Sequence, residues 1–236
     1  MEPRQPNQSE SDFVSIVAHQ LRTPLSGVKW TLDMVLGGTL GALSAEQRAL
    51  LLKCYESNER MIVLINDMLS VSRIDSDKLE YRLVPTQILD LLDNVLFEMA
   101  SSVGKKKLRV LFANKDKNLP RVLIDVEKMR AVLQNLLENA IQYTPKGGKV
   151  EIDFQVVGEL VQVSIKDSGI GIPEEDKKNI FKRFFRAKNA AKMEKNGSGL
   201  GLSIARGIIE KHGGRLWFES KVEEGTTFSF TIPIAK

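Results

Sequence analysis

Between Gln47 and Val71 the chain sets Gln47, Leu50, Cys54, Ser57, Met61, Leu64, Met68 and Val71 at alternating spacings of three and four residues. That spacing is a heptad seam, and it demands a long helix with a partner along one side. The helix opens at Ser44-Ala45-Glu46-Gln47, a capping box in which the serine hydroxyl and the glutamine side chain satisfy free backbone groups. An earlier helical pattern carries the apolar stripe Phe13, Val17, Leu21, Val28, Leu32 and Val35, with Pro24 among them, and ends near Gly37-Gly38. Residues from about Asp12 to Asp77 therefore read as a helical hairpin. A lone hairpin buries two stripes poorly, so the expectation is a homodimer closed as a four-helix bundle. Methionine and small polar residues make the seam softer than a leucine zipper, which suits a bundle that changes conformation.

One residue of the first helix stands off its apolar stripe. In His19-Gln20-Leu21-Arg22-Thr23-Pro24-Leu25, His19 points about 170° away from the centre of the stripe at roughly 100° per residue. An outward imidazole beside an arginine is available for chemistry, or is a solvated surface residue. The chain has only two histidines. The other, His212, ends a helical pattern in Lys211-His212-Gly213-Gly214, where the helix dipole accounts for it. Trp30 and Trp217 read as packing residues.

From about Tyr81 the periodicity changes. Leu89, Leu92, Val95, Leu96 and Met99 form a helical stripe, and Leu108, Val110 and Phe112 alternate as a strand. Val150-Ile152-Phe154 and Val161-Val163-Ile165 read as a hairpin around Gly158. Helical patterns over Val126–Gln142 and Leu200–Lys211 lie between strands, and Leu216-Phe218 and Phe228-Phe230-Ile232 supply two more strands. Helices mixed with antiparallel strands predict an α+β two-layer sandwich, its sheet covered on one face. The expected division is a leader over 1–11, a helical hairpin over 12–78 and an α+β domain over 79–236, with the linker around Ser76–Leu83.

Composition narrows the class. The net charge of +4 is too small to argue for nucleic acid, which is not expected as a partner, and the only basic run, Lys105-Lys106-Lys107, reads as a solvated loop. No apolar run approaches the ~18–20 residues of a membrane span, and the first residues are too polar for a signal peptide. The single Cys54 excludes an internal disulfide and a cysteine-based metal site, so a reducing compartment is expected.

Neither a Walker loop nor a dinucleotide fingerprint is present, yet four elements between 135 and 202 suit a nucleotide. Asn135-Leu136-Leu137-Glu138-Asn139-Ala140 puts two carboxamides on one helical face, and amide oxygens are hard ligands suited to Mg²⁺ shared with phosphates. Asp167-Ser168-Gly169-Ile170-Gly171-Ile172-Pro173 follows a strand, where a buried acid can accept from an exocyclic amine such as adenine's. Ile180-Phe181-Lys182-Arg183-Phe184-Phe185-Arg186 is aromatic and basic. Gly197-Ser198-Gly199-Leu200-Gly201-Leu202 opens a helix, whose N-terminus favours anionic phosphate. Singly, each is a common structural feature; in this order they are hard to obtain by chance.

With the histidine run, these four elements resemble the cytoplasmic core of two-component sensor histidine kinases over essentially the whole chain. Residues 12–78 are similar to the dimerisation and histidine-phosphotransfer domain, and 82–236 to the Bergerat-fold ATP-binding domain. The resemblance implies an ATP-dependent protein-histidine kinase that autophosphorylates on His19 from Mg-ATP. It further implies transfer to an aspartate of a response regulator, with phosphatase activity towards that regulator. Arg22, Thr23 and Pro24 complete the acceptor box, Thr23 matching the residue that positions water for the phosphatase step. Asn139 matches the Mg²⁺ ligand and Asn135 its neighbour near the phosphates. Asp167 matches the adenine-reading acid, with Gly169 and Gly171 shaping its turn. Tyr143 matches the aromatic near the nucleotide, Arg186 the phosphate-facing residue of the F box, and Gly197, Gly199, Leu200 and Gly201 the ATP-lid hinge. A cytoplasmic location follows from the same resemblance, with any membrane anchor of the parent protein outside this chain.

Two positions depart from the pattern. Gln20 stands where many members carry an acid that takes a proton from the acceptor, and Gln142, three residues after Asn139, where the family often has a lysine. Lys188 or Lys192 in the lid are the candidates to replace that phosphate contact. Rival readings are an ATP-binding scaffold without turnover, for which Gln20 is the best support, and an ATPase that leaves His19 without a purpose.

Overall fold

The computed structural model of the chain describes residues 8–75, 80–113, 119–194 and 197–235, without the side chains of 8–15, 19 and 75. The chain falls into two compact units, Met1–Leu79 and Glu80–Lys236.

The first unit is a hairpin of α1 (Gln8–Leu36) and α2 (Ala45–Asp75). The capping box forms as the sequence predicts: the Ser44 amide donates to Gln47 Oε1 at 2.9 Å, and the Gln47 amide to Ser44 Oγ at 3.1 Å. Arg48 donates to the Leu36 carbonyl at 2.9 Å, tying the start of α2 to the end of α1. Pro24 sits inside α1 and removes one helical donor. One residue on, the Leu25 carbonyl accepts from Asn58 Nδ2 at 3.0 Å, across the hairpin.

The face shared by the two helices is not the one periodicity selects. Ala18, Ile65 and Leu69 are buried with Leu25 packed on them, whereas Val17, Leu21 and Val28 are 38%, 47% and 47% exposed. On α2, Leu50, Cys54, Met61 and Leu64 are exposed as well. The reason is that the shared face is partly polar. Arg22 Nη2 donates to Asn66 Oδ1 at 2.6 Å, Lys29 pairs with Glu59 at 2.9 Å, and Asn58 and Ser72 are buried. A count of apolar residues therefore picks the outer face of the single hairpin. Phe13 of the predicted stripe lies outside the described side chains. Trp30 is 66% exposed, so it is not a packing residue within this chain.

The second unit follows chain order as β1 (Val84–Thr86), α3 (Ile88–Glu98), α4 (Ala100–Lys106), β2 (Arg109–Phe112), β3 (Val122–Ile124), α5 (Val126–Tyr143), β4 (Lys149–Val157), β5 (Leu160–Asp167), α6 (Glu174–Lys177), α7 (Lys188–Met193), α8 (Gly201–Lys211), β6 (Leu216–Lys221) and β7 (Gly225–Pro233). Five strands make one sheet in the order β2-β4-β5-β7-β6, and β1 pairs with β3 in a small separate ribbon. Rows such as Ile152↔Ile165↔Phe228 and Val163↔Phe230↔Leu216 cross the sheet, all buried under the layer of α5 and α8, with α3 packed on α5. The opposite face carries Asp153, Gln162, Ser164, Ser229 and Thr231, with Ser164 and Ser229 hydroxyls 2.9 Å apart. This is the two-layer arrangement predicted, with one difference. β2 runs parallel to β4, because the path between them passes through β3 and α5 and crosses over. The sequence reading misses β1, β3, α4, α6 and α7, each too short to complete a periodic pattern.

Candidate nucleotide-binding and phosphoacceptor sites

α5 opens at Asp125, whose Oδ1 accepts the Lys128 amide at 3.1 Å. Its buried stripe, Met129, Val132, Leu133, Leu136, Leu137 and Ala140, faces the core and leaves Asn135 and Asn139 half-buried on the flank. Asn139 Nδ2 donates to Asn135 Oδ1 at 3.2 Å. That bond turns the Asn139 amide so that its oxygen points away from its neighbour and is free to bind a ligand. Gly201, the first residue of α8, packs onto Asn135: a Cβ there would lie 1.9 Å from Asn135 Nδ2. Any side chain at 201 would push this amide out of place.

Asp167 ends β5 at 6% exposure. Its Oδ1 accepts two amides, from Gly169 at 2.8 Å and from Thr226 at 3.2 Å. Burial raises the carboxyl from the ordinary range to about 6, against the opposing pull of those two amides. Both bonds fall on one oxygen, so Oδ2 is left to accept from a ligand. The turn itself is tight. Gly171 sits at φ +64°, and a Cβ there would stand 2.1 Å from the Lys221 carbonyl, so no other residue fits. The Ile170 amide donates to the Tyr143 carbonyl at 3.2 Å, which joins the turn to the last residue of α5.

The aromatic-basic run and the glycine run also meet. Phe181 packs edge-on to Phe218, with the Arg206 guanidinium 5.5 Å from its ring centre. Gly199, at φ +70°, lies against the backbone of Phe184 and Phe185. Arg186 Nη2 donates to the Glu194 carbonyl, and its guanidinium flanks Gly197. Leu200 is fully buried and precedes α8. Lys188, a proposed substitute for the missing lysine at 142, has its ammonium 4.0 Å from Glu175, while its amide donates to Asp176 Oδ2.

Several contributing residues escape a reading of the sequence. Thr226 holds Asp167 from β7, 59 positions away, and Gly225 approaches the Asp167 carbonyl too closely for a side chain. Asn189 Nδ2 donates to the Gly171 carbonyl at 2.8 Å. A Gly-Thr-Thr run opening a strand was the available signal for the first two. Lys106 is no solvated residue: half-buried, it donates to three carbonyls at the end of α5.

His212 also differs from expectation. It is 4% exposed, its Nε2 accepts the Asp125 amide at 3.0 Å, and its Nδ1 lies 2.7 Å from the Ile208 carbonyl. With one nitrogen accepting and the other donating, the ring is neutral, and burial lowers its pKa further. A neutral imidazole gains little from a helix dipole; His212 is a buried brace with Tyr81 packed edge-on against it.

In the helical unit, Gln20, Thr23 and Pro24 are exposed on α1, and Arg22 is half-buried in its bond to Asn66. His19 is one turn before Thr23 on the same helix. Its side chain lies outside the described residues.

A single amide oxygen at Asn139 fits a hard cation that keeps waters and shares phosphate oxygens. Among the described residues no group of three His, Cys, Asp or Glu side chains could hold a metal unaided. Nor is any described helix long and apolar enough to cross a membrane.

Comparison with known proteins agrees with this arrangement. Residues 9–77 match the His Kinase A (phospho-acceptor) domain, and residues 124–236 the histidine kinase-, DNA gyrase B-, and HSP90-like ATPase domain. Sensor histidine kinase WalK of Bacillus subtilis is 37% identical over 96% of this chain, which spans only 37% of WalK. The catalytic domain of histidine kinase ThkA is 35% identical at TM-score 0.55, covering 67% of this chain and all of that domain. Full-length ShkA in complex with AMPPNP aligns over 95% of this chain and 46% of its own at 27% identity and TM-score 0.80. ThkA in complex with the response regulator protein TrrA aligns over 95% and 61% at 28% identity and TM-score 0.65. By sequence and by fold, over both of its units, the chain belongs to the sensor histidine kinases.

Proposed function

We propose that this chain is an autokinase core: Glu80–Lys236 binds Mg-ATP, and the γ-phosphoryl group passes to His19 and then to an aspartate of a response regulator. One observation carries the nucleotide reading above all others. The buried Asp167 carboxylate keeps Oδ2 open at one end of α5's flank, and the Asn139 amide oxygen is open at the other. A hydrogen-bond acceptor for the adenine amine and a hard ligand for Mg²⁺ are the two groups that an adenine nucleotide with its ion requires. Asn135 steadies Asn139, Tyr143 offers a ring beside the base, and Gly169 and Gly171 shape the acid's turn. Arg186 faces phosphate once released from the Glu194 carbonyl. Gly197, Gly199, Leu200 and Gly201 form the hinge of the lid, and the first amides of α8 favour the anionic phosphates.

The acceptor follows by chemistry. The lone pair of the outer His19 nitrogen attacks the γ-phosphorus, the bond to the β–γ bridging oxygen breaks, ADP leaves with that electron pair, and the proton on the other ring nitrogen passes to solvent. Gln20 can orient the imidazole but cannot take its proton, so this step is slow rather than absent. The only other histidine is buried with both nitrogens engaged, which supports His19 as the acceptor. Thr23, exposed one turn on, holds a water for dephosphorylation of the regulator. The exposed seam of Val17, Leu21, Val28, Leu50, Met61 and Leu64 is the face a second copy covers to close the four-helix bundle. That the ThkA complex contains a response regulator supports the same class of partner here.

Incubation of the chain with γ-labelled ATP and Mg²⁺ tests this reading. Label that survives base and is lost in acid is the expected result. Free phosphate without protein-bound label would favour an ATPase, and neither product would favour a binding scaffold.

A further inference from the structure

Lys106 ends α4 in the middle of the basic run, and it does what neither neighbouring lysine does. Its ammonium donates to the carbonyls of Ile141 at 3.0 Å, Gln142 at 2.5 Å and Thr144 at 3.2 Å. The first two belong to the last turn of α5 and the third to its cap, where a helix leaves its carbonyls without partners. An ammonium has three protons, and these three carbonyls take them all. The backbone of Lys106 is tied to the same place, its carbonyl accepting the Gly147 amide at 2.9 Å. Burial lowers its pKa, and the nearby Glu194 carboxylate opposes that shift.

What the clamp encloses matters for a ligand. Between the bonded carbonyls stands Tyr143, whose own carbonyl accepts the Ile170 amide in the Asp167 turn. Gly169 meets the same carbonyl so closely that a Cβ would lie 2.5 Å from it. The last turn of α5 therefore fixes how far the Asp167 turn stands from Asn139, one turn back along the same helix.

We propose that Lys106 is a positioning residue of the nucleotide site: by occupying the end of α5 it sets Tyr143 and the Asp167 turn relative to Asn139, without touching the nucleotide. With every proton engaged, it does not supply the phosphate contact that Gln142 lacks. The proposal rests on the ATP-site reading and deepens it.

Calorimetric titration of the full chain with ATP and with ADP tests this, alongside hydrogen exchange of the Ile170 amide. In Lys106→Met, both nucleotides should bind about tenfold more weakly by the same factor, since misplacement and not a lost phosphate contact is the cause. The Ile170 amide should exchange faster, and Lys106→Arg should recover most of both effects. If the methionine variant fails to fold, Lys106→Gln keeps two donors and carries the same expectations at smaller size. A loss clearly larger for ATP than for ADP would make Lys106 a γ-phosphate contact and overturn the proposal. Unchanged affinity with a lowered melting temperature would reduce it to a helix cap. A wild-type chain that binds no adenine nucleotide would instead overturn the site reading itself.

Discussion

Asp167 places a chemical demand on its surroundings that pH reveals. A folded carboxyl raised to about 6 binds its proton more tightly than the unfolded chain does. Its contribution to stability is thus fully present below about pH 4, declines as pH rises through about 6, and becomes a net cost above that. Asp167→Asn keeps the Oδ1 that accepts Gly169 and Thr226 but puts an amine where Oδ2 stood. Without nucleotide, this variant should resist urea better than wild type near pH 7, with the advantage gone near pH 4. Nucleotide affinity should behave oppositely: in wild type it climbs between about pH 5 and pH 7 as the acceptor ionises, and in the variant it is weak and flat. A wild-type affinity that does not change over this range would deny Asp167 its role as acceptor. Gly201→Ala probes the other end. Its methyl would collide with the Asn135 amide, so Mg-dependent ATP binding should fall by about tenfold or more while the fold survives. Titration with and without Mg²⁺ distinguishes this from a general loss. Asn139, Asp167 and the glycines were all nameable from the sequence because their spacing is local. Thr226 and Lys106 were not, since each reaches the site through a pairing that closes only in three dimensions.

At the scale of elements, the helices of the hairpin were legible in extent and capping but not in facing. Ser44 and Gln47 lie three apart, and a local bond needs no tertiary knowledge. The facing of α1 was not legible because its inner stripe is interrupted by Arg22 and Lys29, while its outer apolar stripe is left exposed in the single hairpin. In the sheet, strict alternation in β4, β5 and β7 announced one covered face, while nothing in Arg109–Phe112 announced that it runs parallel to β4. The outer stripe makes its own prediction. Leu64→Lys together with Leu50→Lys places charges on a face already exposed in the single hairpin. The monomer should keep its helical content, while sedimentation equilibrium should show the proposed wild-type dimer lost in the variant at the same concentration. A variant that dimerises as wild type does would place the second copy elsewhere.

The whole molecule divides its chemistry between two units of unlike construction. The helical one carries His19, the proposed acceptor, on α1. The sheet-bearing one gathers Asn135, Asn139, Tyr143, Asp167 and Gly201 around α5, and its own histidine is buried with both ring nitrogens engaged. The proposed transfer needs both units, and the sequence conveyed the division between them because each has its own periodicity. The central claim is that the phosphoryl group taken from ATP by one unit ends on His19 of the other. His19→Ala in the full chain, incubated with γ-labelled ATP, tests it most directly. The account predicts that acid-labile protein label disappears while ATP affinity, measured on the same preparation, stays within about twofold of wild type, a change of less than 0.5 kcal/mol by the ~1.4 kcal/mol-per-decade relation. Acid-labile label persisting on His19→Ala would contradict it.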